Sequence, residues 1–202
     1  AQVLSGVLKQ VPQLDARHID DVIVGCAFPE AEQGMNLAKI VISKAIPGVD
    51  IPGQTVNRFC SSGLQTIATA ANAIMAGQAE GIIAGGIELM STIPMGGNIV
   101  APNPDLIQSQ PDAYTAMGIT AENVAEQYGV TRRMQDEFSM ESHRRANAAR
   151  TEGKFAQEII PVEAVTTYVD ETGHTRMGLR TVAEDEGIRP QTTMESLGKL
   201  HT

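Results

Sequence analysis

Residues 56–91 read VNRFCSSGLQTIATAANAIMAGQAEGIIAGGIELMS, and the order of patterns inside that stretch decides the fold class. Thr55 to Phe59 is strand-like, and Cys60-Ser61-Ser62-Gly63 interrupts it. Leu64, Ile67, Ala68, Ala71, Ile74 and Met75 then recur at the spacing of one helix face, and Gly77 stops the pattern. Gly81 to Met90 is a short apolar run with Gly85 and Gly86 at its centre, which reads as a buried strand. Upstream, Val3, Leu4, Val7 and Leu8 mark a helix face within Ala1 to Gln10. Asp20 to Cys26 reads as a buried strand and Gln33 to Ala45 as a second helix, and Pro47, Gly48, Pro52 and Gly53 then break the chain. Helix, strand, helix, strand, helix, strand is the signature of an α/β layer structure, a mixed sheet with helices packed on it.

Beyond Ser91 the character changes. Pro94, Gly96, Gly97, Pro102, Pro104 and Pro111 punctuate an irregular stretch. Two helices are expected after it, Thr120 to Tyr128 and Thr131 to Thr151, each opened by a capping Thr. Ala164 to Leu179 reads as a hairpin turning at Glu171 to Gly173, and Thr181 to Thr202 as a polar tail without periodicity. The expected organisation is an α/β unit over residues 1–93 and a loop-rich α+β excursion over residues 94–202.

Composition narrows the function classes. The 202 residues are 42% hydrophobic and 19% charged, which excludes general disorder. A net charge of −9 argues against generic nucleic-acid binding, which needs basic surface. No apolar run is long enough for membrane insertion, and no basic segment followed by an apolar one opens the chain. Cys26 and Cys60 are the only cysteines, so a disulfide framework is not expected and a reducing compartment is the simpler reading. No His/Cys cluster has ligand spacing, so no metal site is expected, and the GxxxxGK phosphate loop is absent. Aromatic residues make up 3% and Trp is missing, so the core has to be built from Ala, Val, Ile, Leu and Met.

Cys60 lies between an extended segment and the first turn of a helix. Unpaired N–H groups and the positive helix end at such a place stabilise a thiolate, and the same N–H groups can stabilise an oxyanion. Small neighbours at Ser61, Ser62 and Gly63 leave room for a substrate. The residue pattern suits a nucleophile in acyl chemistry, but it equally fits a buried structural thiol. Cys26, inside VIVGC, reads as a buried strand thiol.

Residues 56–91 resemble the nucleophile segment of the thiolase family, with Cys60 at the position of the acyl-carrying cysteine and Gly85-Gly86-Ile87-Glu88 at the Gly-Gly-hydrophobic-Glu that follows. The resemblance continues at MGITAENVA, residues 117–125, and at DEGIRPQTTME, residues 185–195. GCAFPEAEQG and DEGIRPQTTME are more similar to 3-ketoacyl-CoA thiolases than to dedicated acetoacetyl-CoA enzymes. The resemblance implies an acyltransferase that cleaves 3-ketoacyl-CoA to acetyl-CoA and a shortened acyl-CoA, in fatty-acid β-oxidation, through a thioester on Cys60. It implies coenzyme A as co-substrate with no permanently bound cofactor. CoA contacts are implied at Arg189 and Ser196, and Met117 falls beside the acyl and pantetheine end. Arg176, Arg180, Arg189 and Lys199 fall in one basic region suited to a polyanionic ligand. A homodimer or homotetramer is implied, in the cytoplasm of a bacterium or in the peroxisome or mitochondrial matrix of a eukaryote.

Three further family features are missing: an activating His in Gly-His-Pro, a second Cys in a Gly-rich segment, and an Asn in Asn-Glu-Ala-Phe. His18, His143, His174 and His201 lie outside a Gly-His-Pro context, and His143 sits on a charged helix face beside Glu141, Arg144 and Arg145. These features belong to the family's second half, so the chain is expected to be the first half of such a protein, inactive alone. A biosynthetic acetoacetyl-CoA thiolase, a decarboxylating condensing enzyme and a non-catalytic acyl-CoA-binding relative are the alternatives. The MGITAENVA and DEGIRPQTTME segments argue against the condensing enzyme.

Overall fold

The computed structural model describes residues 1–201; Thr202, the end of the polar tail, lies outside the described residues. The chain forms two compact units, Ala1–Ala101 and Pro102–Thr202. The division falls later than the boundary expected between residues 93 and 94, for a physical reason. Ile93 is buried in the first unit, and the Asn98 N–H and side-chain amide both donate to the Glu30 carboxylate at 2.5 and 2.7 Å. The first irregular residues are thereby tied to the α/β unit.

The first unit is built from α1 (Gln2–Gln10), β1 (Asp21–Gly25), α2 (Leu37–Ala45), β2 (Gly53–Val56), α3 (Ser62–Met75) and β3 (Ile82–Gly86). Its three strands lie in the order β2-β1-β3. All pairings are parallel, Val24 facing Thr55 on one side and Gly85 on the other, so the sheet is parallel rather than mixed. Each strand is joined to the next through a helix, a connection that favours parallel pairing. Central β1 is buried on both faces. Val22, Val24 and Cys26 pack with Leu4 of α1 and Leu37 and Ile42 of α2 in one core cluster. The opposite face, at Gly25, meets the first turn of α3.

α3 does not turn its apolar stripe to the sheet. The face turned to the sheet carries Ser62, Thr66 and Ala70, all buried. The apolar stripe of Leu64, Ile67, Ile74 and Met75 is exposed. Small and hydroxylated residues suit the inner face because the helix comes very close to the strands: the buried Thr66 hydroxyl lies 2.7 Å from the Gly63 carbonyl oxygen and 3.1 Å from that of Gly85.

The second unit contains α4 (Pro104–Ser109), α5 (Met117–Tyr128), α6 (Arg132–Thr151), the hairpin β4 (Val162–Val169) and β5 (Thr175–Val182), and α7 (Met194–Gly198). α4, inside the stretch read as irregular, is set by Asn103, whose side chain accepts from the Asp105 and Leu106 N–H groups. Thr131 caps α6 as expected. Thr120 does not cap α5, which starts three residues earlier behind Ala116; its hydroxyl donates to the Ala116 carbonyl at 3.3 Å. The hairpin is antiparallel, with Val169 opposite Thr175. The tail is not featureless, since α7 is nucleated by a capping box between Thr193 and Ser196.

Candidate active site

Strand β2 ends at Val56, and the chain then turns sharply to enter α3. The turn is made by Phe59, a non-glycine residue at φ 45°. Such a conformation persists only where neighbouring bonds over-determine it. Here the Asn57 Oδ1 accepts from the Phe59 N–H at 2.9 Å. The Phe59 carbonyl accepts from the Ser62 N–H at 3.0 Å and from the Ser62 hydroxyl at 2.5 Å. The Ser62 Oγ in turn accepts from the Arg58 N–H at 2.9 Å. Cys60 follows the strained residue directly and is exposed. Ser61, at the N-cap of α3, places its hydroxyl on the Arg58 carbonyl and leaves the first turn without a side-chain cap. A thiol is therefore presented at the open end of a 14-residue helix.

The carboxyl ends of all three strands converge around this elbow, where ligands of open α/β sheets characteristically bind. Gly25 ends β1 and Gly86 ends β3, and both lie against the α3 backbone at Ser62 and Gly63. Beyond β3, the Glu88 carboxylate accepts from the Ala27 N–H at 2.7 Å, the Phe28 N–H at 3.3 Å and the buried Gln33 amide at 2.9 Å. Burial works against its charge, yet these donors hold the carboxyl below its ordinary range. The Ala27 carbonyl accepts from Asn57 Nδ2 at 2.9 Å, and the Phe28 and Phe59 rings lie 6.3 Å apart. Cys26 is fully buried as expected, and its thiol donates to Glu88 across 3.7 Å. Burial pushes that thiol up, with the Phe28 N–H offsetting part of the effect.

Met117, Arg189 and Ser196 all belong to the second unit, and Cys60 to the first. Met117 opens α5 and is exposed. Arg189 sits in the loop before α7, its N–H donating to His143 Nδ1 at 3.2 Å and its carbonyl accepting from the Thr192 hydroxyl at 2.8 Å. In the basic region, Arg176 pairs with Asp170, Arg180 with Glu186 and Lys199 with Glu195. Arg189 alone among those four has no ion-pair partner among the described residues. The Ser196 hydroxyl is engaged within α7, accepting from the Thr193 N–H and donating to its carbonyl. His143 is half-buried and anchors a loop, a role its charged neighbours concealed. Asn57 and the bonding of Glu88 were also missed; the signal available was a polar residue just past the end of a strand in each case, Asn57 after β2 and Glu88 after β3.

A family model described as thiolase, N-terminal domain, matches residues 1–202. The chain belongs to the thiolase family. Among curated thiolases, a 3-ketoacyl-CoA thiolase of Bacillus subtilis is 50% identical over 184 residues, 91% of this chain and 47% of that protein. Namesakes from Saccharophagus degradans and Marinobacter nauticus are 41% and 40% identical over 201 residues, 99% of this chain and 49% of theirs. The chain thus spans about half the length of the thiolases it matches. Among the described residues no group of three or more His, Cys, Asp or Glu is placed to hold a metal, and no helix is long and apolar enough to cross a membrane.

Proposed function

We propose that the full-length protein cleaves 3-ketoacyl-CoA with a second molecule of CoA, and that Cys60 carries the acyl group between the two half-reactions. The single observation that supports this most is the elbow: an exposed thiol at an uncapped helix start, held directly after a strained residue at the carboxyl ends of a parallel sheet. The thiolase relatives named for 3-ketoacyl-CoA supply the substrate class.

In this reading the Cys60 sulfur attacks the keto carbon, giving up its proton to a base. The bond between that carbon and the α-carbon breaks, and the α-carbon takes a proton to leave as acetyl-CoA. The shortened acyl group stays on sulfur as a thioester until the thiol of a second CoA attacks it, releasing acyl-CoA and returning the Cys60 thiol. This chain supplies the nucleophile; the family's activating His and second Cys belong to the half it does not contain. Arg189 is the residue of the second unit best placed to meet a CoA phosphate, because its guanidinium has no ion-pair partner among the described residues while its backbone is fixed at both ends. Met117 and Ser196 are assigned to the same ligand on family position. The proposal extends to a place in fatty-acid β-oxidation, to a bacterial cytoplasmic setting and to a homo-oligomer, with coenzyme A as co-substrate and no resident cofactor.

The test is Cys60→Ser in the full-length protein, assayed for thiolysis of acetoacetyl-CoA. Activity should fall to below a few per cent, because a neutral hydroxyl lacks thiolate reactivity. Retained activity would remove Cys60 from the reaction.

A further inference from the structure

Ala27 is held from both sides. Its N–H donates to the Glu88 carboxylate at 2.7 Å, and its carbonyl accepts from Asn57 Nδ2 at 2.9 Å. Asn57 then uses its other end, Oδ1, to accept from the Phe59 N–H at 2.9 Å. Phe59 is the residue at φ 45° immediately before Cys60. Glu88, Ala27, Asn57, Phe59 and Cys60 therefore form one connected path from the loop after β3, through the loop after β1, to the elbow after β2. At its far end Glu88 is fixed by the Phe28 N–H and by Gln33, whose amide also donates to the Phe28 carbonyl at 3.1 Å.

We propose that Glu88 and Asn57 are positioning residues that, through the backbone of Ala27, hold the strained Phe59 turn and so aim the Cys60 sulfur. The inference rests on the reading of Cys60 as nucleophile. Both ends of the Asn57 side chain are engaged across different loops, an arrangement neither a capping residue nor a solvated amide needs. A charged acceptor suits Glu88 because hydrogen bonds to an ionised group are the stronger kind, and four donors converge on it, the Ala27 and Phe28 N–H groups, the Gln33 amide and the Cys26 thiol. A flexible elbow in the left-handed region would relax towards ordinary φ and carry Cys60 with it. A displacement of that sort, near an ångström, costs reactions about a hundredfold.

The experiment uses the full-length protein with acetoacetyl-CoA and CoA. It compares Asn57→Ala, Asn57→Asp, Glu88→Gln, the double variant Asn57→Ala/Glu88→Gln, and Cys60→Ser. Active sites are counted by acyl transfer to Cys60, read as a mass shift, so loss of folded protein is separated from slower chemistry. Per active site, Asn57→Ala should lower kcat about tenfold to a hundredfold and leave the KM for CoA within about twofold. Asn57→Asp keeps the acceptor for Phe59 and loses the donor to Ala27, so its loss should be intermediate. The double variant should be no worse than about threefold beyond Asn57→Ala, since both residues act along one path. Unchanged kcat in Asn57→Asp and Glu88→Gln, multiplicative losses, or losses that vanish per active site would overturn the proposal while Cys60→Ser stays inactive. An active Cys60→Ser would instead overturn the nucleophile reading and this inference with it. If Glu88→Gln does not fold, the Asn57→Asp comparison decides alone.

Discussion

A Cβ placed on Gly25 would lie 2.5 Å from the carbonyl carbon of Ser62, so the end of β1 and the start of α3 touch backbone to backbone. No side chain can yield there. Gly25→Ala should push the first turn of α3 off the sheet and destabilise the protein by about 1–3 kcal/mol or more. Gly85→Ala, one residue before the register partner of Gly25, has nothing within 4 Å of its Cβ position. It should be neutral or stabilising by up to about 1 kcal/mol. Denaturant unfolding of the two variants reads the contrast, and equal costs would refute the close contact.

The two thiols should differ in reactivity. Cys26 is fully buried and burial pushes its thiol up, whereas Cys60 is exposed. Under native conditions at about pH 8, iodoacetamide should modify Cys60 at least about tenfold faster than Cys26. Peptide mapping of the alkylated protein gives the ratio. Comparable labelling of both would mean that the packing around Cys26 opens readily.

The Glu88 carboxyl is held below its ordinary value of 4.5 in the folded protein. Its contribution to stability is therefore fully present above that value and lost as pH falls through the lower folded-state one. Glu141, held at about 2 by Arg144 and Arg145, and Asp170, held at about 2 by Thr172, Arg176 and His174, act at lower pH. They are common to parent and variant. The stability difference between the parent and Glu88→Gln should be flat above about pH 5 and decline towards pH 3. A pH-independent difference would show that the Glu88 charge is not what holds the loop.

The alternation of helices and strands was legible because it rests on local periodicity and on breakers such as Pro47 and Gly77. Cys60 was legible as a candidate through its place between Phe59 and Ser61. The inner face of α3 was not. Its apolar period marks the stripe of Leu64 and Ile67, which stays off the sheet, while the face that meets the sheet is chosen by how closely Gly25 and Gly86 let the backbones approach. Close approach is a tertiary property that hydrophobic pattern does not encode. The same holds for Asn57 and Glu88, whose partners lie 30 and 61 residues away in sequence. Short caps such as Thr193 with Ser196 were within reach, but a five-residue helix carries too little periodicity to be seen.

Arg189 and His143 should be coupled in CoA binding. The Arg189 N–H donates to His143 Nδ1, so the ring anchors the loop that presents the guanidinium. In the full-length protein Arg189→Ala should raise the KM for CoA about tenfold, the loss of one charge-assisted hydrogen bond. His143→Ala should raise it less, by about threefold, as a neutral bond is lost. Steady-state kinetics with varied CoA measures both. An unchanged KM in Arg189→Ala, or a loss confined to kcat, would remove Arg189 from the CoA site.

The exposed stripe of α3 bears on how this chain behaves alone. Leu64 is 69% exposed, Ile67 56% and Met75 85%, on a helix whose other face is already packed. A contiguous exposed apolar surface of this kind marks a contact surface. The chain spans about half the length of its thiolase relatives, and the activating His and second Cys of the family are outside it. The 202-residue chain alone should therefore self-associate and show no sustained thiolysis, because a nucleophile without a base completes no cycle. Replacing Ile67 and Ile74 by Glu should make it monomeric in sedimentation at concentrations of about 10–50 μM, within the range in which exposed apolar surface drives association. The same pair should leave its unfolding midpoint within a few degrees of the parent, since a stability change under 0.5 kcal/mol moves it only by about 2–4 °C. In the full-length protein the pair should be strongly destabilising if the second half covers the stripe. A parent chain that sediments as a monomer, or that turns over acetoacetyl-CoA repeatedly, would defeat the argument at its first step.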